Sequence, residues 1–130
     1  MMSIDTVNSD AFKPVAERMH FSQAVKADNL VFCSGVIGTG PDGKLPDSLE
    51  DEFRAAFEGV KDVLKEAGST LSDVVEMTTY HVDMGKTIRT FSTIRDEYLS
   101  PPWCAWSAIG ISGLAIAGAH VEIRVVAKLT

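Results

Sequence analysis

Leu30-Val31-Phe32-Cys33-Ser34-Gly35-Val36-Ile37 is the stretch that decides the fold. It is short, rich in β-branched and aromatic residues, and apolar at successive positions, so it reads as a strand buried on both faces. Asp28-Asn29 before it marks a turn, and His20 to Ala27 suits a partner strand. Gly38 to Pro46, with the turn pair Asp42-Gly43, is a loop. Beyond the loop the period changes. Phe53, Ala56, Phe57, Val60, Val63 and Leu64 recur at helical spacing, with Asp47 or Ser48 to cap the start and Gly68 to end it. Val74 to Val82 reads as a strand. Lys86 to Leu99 follows as a helix, with Ile88, Phe91, Ile94, Arg95 and Tyr98 near one face and Pro101-Pro102 to stop it. Trp103 to Ile111 and Ala119 to Leu129 complete the strands, joined by a small-residue connection from Gly113 to Gly118. Residues 1–18 are mixed and read as partly irregular.

This order predicts an α+β fold: one sheet with two helices on one face. The two-sided apolar character of Leu30 to Cys33, and of much of Trp103 to Ile111, demands a cover for the second face. No element remains to supply it, so further copies of the same chain are the expected cover.

A chain of 130 residues fits a single domain, residues 1–130. With 45% hydrophobic and 23% charged residues it has the means to bury a core. The net charge is −6 and the cations are scattered, which argues against a nucleic-acid partner. No apolar run is long enough to span a bilayer, and Met1 to Val7 lacks the pattern of a secretory signal. The expectation is a cytoplasmic protein with no membrane partner. His20, His81 and His120 match no metal-ligand spacing, and the glycines from Gly38 to Gly43 lack phosphate-loop spacing, so no metal and no cofactor are expected. Cys33 and Cys104 lie in apolar runs and read as buried thiols, with no activating base in sight for Cys104.

Several segments, in order, are similar to one family. They are Phe21-Ser22-Gln23-Ala24-Val25, Leu30 to Gly35, Ala67-Gly68-Ser69-Thr70-Leu71-Ser72-Asp73-Val74-Val75, Val82-Asp83-Met84, and Val121-Glu122-Ile123-Arg124-Val125-Val126-Ala127. Together they resemble the RidA/YjgF (Rid) proteins from about His20 to Lys128. The resemblance implies a chorismate-mutase-like fold, a homotrimer, and three clefts between neighbouring subunits that take a small-molecule ligand. It implies hydrolysis of reactive imines and enamines, releasing ammonia. Ribonuclease labels attached to the family find no support in the acidic composition.

One departure matters. The family's deaminases carry an arginine that clamps the substrate carboxylate, and here that position is Trp106, within Cys104-Ala105-Trp106-Ser107-Ala108-Ile109-Gly110. Trp106-Ser107-Ala108-Ile109-Gly110 resembles a divergent YjgH-like branch that lacks the arginine. Exchanging a charge-assisted contact for one neutral N–H donor forfeits about 1.5–3 kcal/mol. Phe21 stands where the deaminases have tyrosine, so the expected ligand is less anionic. By the same resemblance Ser34, Ser92 and Ala108 line the cleft, and Glu122 is retained as the catalytic candidate. A carboxylate there could hold the water that attacks a C=N carbon, or it could simply pair with Arg124 or a neighbouring subunit. Trp106 is read either as a stacking platform for a ligand or as an interface anchor. The function expected is a hydrolytic deaminase of altered preference. The alternative is a non-catalytic trimer that binds or senses a small metabolite in the same clefts.

Overall fold

The computed structural model describes residues 4–129. A seven-stranded sheet forms from β1 (Asp5–Val7), β2 (Ala24–Ala27), β3 (Leu30–Cys33), β4 (Val36–Ile37), β5 (Val74–Val82), β6 (Ala105–Ile111) and β7 (Val121–Lys128). Its order is β1-β2-β3-β7-β5-β6, with β4 also paired to β7. The pairs are antiparallel except β5 and β6, which run parallel because a helix crosses between them.

Among the described residues three α-helices accompany the sheet, not the two expected: α1 (Lys13–Met19), α2 (Leu49–Ala67) and α3 (Met84–Tyr98). The extra helix is the short α1, which has Pro14 in its first turn, where a missing N–H costs nothing. It buries none of its residues, so it leaves no apolar stripe to read. The Leu30 to Ile37 run is also two strands rather than one, broken at Ser34-Gly35.

Helix α2 begins where Ser48 accepts a hydrogen bond from the Asp51 amide at 3.1 Å, and ends at Gly68 with φ 85°. Its apolar stripe, Phe53, Ala56, Phe57, Val60 and Leu64, is buried against the sheet. Phe57 stacks between Phe91 and Tyr98 of α3, at 5.5 and 5.0 Å between ring centroids. The sheet turns Val31, Cys33, Met77, Val121, Ile123, Val125 and Ala127 toward these helices, and all are buried. The alternate residues form an open face. Phe32 and Ile109 stay exposed there at 37% and 43%. No helix among the described residues is long and apolar enough to cross a membrane.

Candidate functional site

Pairing register sets which face each candidate occupies. On β7, Glu122 lies opposite Tyr80 of β5 and Ile37 of β4, while Ile123 lies opposite Thr79 and Val36. Thr79 and Ile123 are fully buried under the helices, so Glu122 belongs to the open face. Its half-buried carboxylate presses on Gly35, at the break between β3 and β4. A Cβ on Gly35 would stand only 2.5 Å from Glu122 Oε2. The glycine therefore makes the space that Glu122 fills. Among the described residues Glu122 has no ion-pair partner, Arg124 included.

His120 does not share that face. It precedes β7 and turns to α2, where its Nδ1 lies 2.8 Å from Glu52 Oε1 and its amide donates to Glu52 Oε2 at 2.7 Å. Glu52 is almost wholly buried, and these two bonds keep its carboxylate partnered.

Trp106 lies on the helical side of the sheet. It pairs with buried Met77, packs 6.0 Å from Phe91, and donates from Nε1 to Thr79 Oγ1 at 2.9 Å. The same hydroxyl is 2.6 Å from His81 Nε2. His81 is fully buried beside Phe91 and its Nδ1 has no partner among the described residues, so burial pushes its pKa below 6.5 and holds the ring neutral. The guanidinium of Arg95 covers the outer face of Trp106 at 4.7 Å and reaches Trp103 at 5.5 Å. Met77, Leu99 and Cys104 complete a pocket of about 240 Å³ there. Burial pushes the Cys104 thiol up, which favours the thiol over the nucleophilic thiolate at neutral pH.

Phe21 and Ser34 meet in a third place. They line a cavity of about 340 Å³ between the Ser34-Gly35 break and α2, whose far wall carries Asp62 and Glu66. Phe21 meets Phe12 edge to face at 5.3 Å, and Ser34 Oγ donates to the Ser22 carbonyl at 2.6 Å. Ser92 is half-buried on α3, and Ala108 is exposed on the edge strand β6. Within one chain the six candidates are thus spread. Phe21 and Ser34 share a cavity, with Glu122 beneath the adjoining glycine on the other face, and Trp106 lies apart with the helices.

Sequence reasoning missed Arg95 as a site residue. The signal was present: a guanidinium on the apolar stripe of α3, eight residues before one indole and eleven before the other. Thr79, which joins Trp106 to His81, left no comparable trace. Among the described residues no group of three or more His, Cys, Asp or Glu gathers to hold a metal ion.

Comparison with known proteins supplies the rest. The family profile described as Endoribonuclease L-PSP matches residues 11–129. The RutC family protein YjgH of Escherichia coli is 32% identical over 110 residues, covering 84% of this chain and 82% of that one. The chloroplastic Reactive Intermediate Deaminase A of Arabidopsis thaliana is 35% identical over 111 residues, covering 84% of this chain and 58% of that one. A solved structure of YjgH superimposes with a TM-score of 0.86 at 27% identity, covering 98% of both chains.

Proposed function

Because the chain belongs to the RidA/YjgF family, whose profile carries the Endoribonuclease L-PSP description, we propose that it is a hydrolytic deaminase of reactive imine or enamine metabolites. We place the reaction in clefts between three copies of the chain, in the cytoplasm. Glu122 is the observation that carries this reading. It is a half-buried carboxylate without an ion-pair partner among the described residues, seated at a glycine that admits it. Such a group can accept a proton from water as the oxygen attacks the C=N carbon. The adduct is a carbinolamine. Its C–N bond then breaks as the nitrogen takes up a proton, giving a carbonyl compound and ammonia. Trp106 and Phe21 shape the site in place of more polar residues and alter its substrate preference. Phe32 and Ile109 on the open face are covered by the neighbouring copies.

Ammonia release from freshly generated imines, with and without carboxylates, tests the reading. Acceleration by the assembled protein that disappears in Glu122→Gln supports it. No acceleration on any member of the panel overturns it. A second reading, a non-catalytic trimer that binds or senses a metabolite, is favoured by one feature. The Trp106 N–H is already committed to Thr79 and cannot grip a substrate. Ligand-induced thermal shifts that persist in Glu122→Gln without turnover would select it.

A further inference from the structure

We propose that the pocket around Arg95, Trp103 and Trp106 is a binding site for a flat, single-ring anion such as an aryl carboxylate. Arg95 is the source of positive charge. Its guanidinium carbon lies 4.7 Å from the centroid of Trp106 and 5.5 Å from that of Trp103, within cation–π range of both rings. Nε and Nη2 donate to one oxygen of Asp96, at 3.1 and 2.9 Å, so Nη1 has no partner among the described residues. Asp96 is exposed while Arg95 is half-buried, so water screens the carboxylate and weakens the pair. The walls select the ligand's body. Met77 and Leu99 are apolar, the Cys104 thiol is neutral, the exposed Trp103 offers indole surface, and no carboxylate among the described residues lines the pocket. A volume of about 240 Å³ lies below that of sites for drug-sized ligands and suits one ring. On this proposal α3 delivers the charge absent at position 106. This ligand class belongs to the Trp106 side of the hydrolase site, and only the ligand's being a substrate rests on the hydrolase reading.

The chain contains two tryptophans, and both line this pocket, so its intrinsic fluorescence reports on the site directly. The experiment titrates the protein with benzoate and with benzamide, its neutral counterpart. Benzoate should give a saturable change at a Kd at least ~10-fold below that of benzamide. Arg95→Gln should erase the difference, and Arg95→Lys should keep part of it. If Arg95→Gln fails to fold, salt decides on the unmodified protein: benzoate binding should weaken as ionic strength rises while benzamide binding holds. Equal affinities, or a benzoate preference insensitive to both Arg95 and salt, would overturn the proposal. Ammonia release measured on the same preparation separates the two readings. Benzoate preference without turnover removes the hydrolase and leaves the anion site; turnover without benzoate preference does the reverse.

Discussion

Gly35→Ala tests whether the placement of Glu122 is a built feature. Gly35 is not among the glycines with positive φ, so alanine fits its backbone and any cost is steric. The new Cβ would lie 2.4 Å from Glu122 Cδ, 2.5 Å from its Oε2 and 2.7 Å from its Cγ, whereas ordinary contact begins at 3.4 Å. The carboxylate must retreat by about 1.0 Å, and because Cγ is also too close, rotating the last torsion alone is not enough. Overpacking of this size costs about 1–3 kcal/mol. Against it, replacing glycine restricts the unfolded chain and stabilises by about 0.4–1 kcal/mol. The single variant should therefore be net destabilised by up to roughly 2.5 kcal/mol. In a Glu122→Ala background the three nearest clashing atoms are gone, and the same change should become neutral or slightly stabilising. Urea unfolding of the four proteins at one fixed concentration gives the cycle, with an expected coupling of about 1–3 kcal/mol. Ammonia release should fall in Gly35→Ala as it does in Glu122→Gln. An equal stability cost of Gly35→Ala with and without the Glu122 side chain would refute the reasoning.

His81 predicts a pH dependence. Its folded pKa lies below the ordinary 6.5, so the unfolded chain binds the proton first and stability falls as pH drops below 6.5. The urea midpoint between about pH 6.5 and 5 should show that slope, and His81→Gln should flatten it. Gly38→Ala should be far worse than Gly35→Ala, because its Cβ would run into the backbone carbonyl of Glu52, which cannot rotate away. Loss of soluble folded protein, or a cost beyond about 3 kcal/mol by urea unfolding, is the expected result. Trp106→Phe removes the donor to Thr79 and part of the packing against Phe91, and should cost about 1–3 kcal/mol in the same measurement.

The parts of this fold that were legible in the sequence are those set by local chemistry. Helix α2 could be read because Ser48, the apolar stripe and Gly68 each act within a few residues of themselves. Helix α1 could not, since seven residues with nothing buried carry no period. The break at Ser34-Gly35 was hidden inside an apolar run, and the side chain that packs against it, Glu122, is 87 residues away in sequence. Alternation along β6 and β7 fixed which residues travel together but not which face they take. That choice needed the register of β5 against both neighbours. Placing Trp106 with Glu122 in one pocket was reasonable from the family pattern, yet a single chain separates them by the thickness of the sheet.

Two faces of one sheet cannot reach a common ligand within a single chain. If Glu122 and the Arg95–Trp106 pair act on the same molecule, they must come from different copies, the open face of one meeting the helical edge of the next. A mixing experiment decides it. Glu122→Gln and Arg95→Gln protomers are each expected to be impaired alone, and are unfolded and reassembled together in equal amounts. Random assembly into a ring whose sites straddle neighbours restores roughly a quarter of the sites, since each needs an intact Glu122 from one chain and an intact Arg95 from the other. Sites contained within one chain would regain nothing, because every chain carries a defect. Recovery near one quarter of wild-type ammonia release, absent from a mixture of the same proteins left unassembled, would establish the shared site. A flat baseline in a fully reassembled sample would show that the two faces of the sheet work separately.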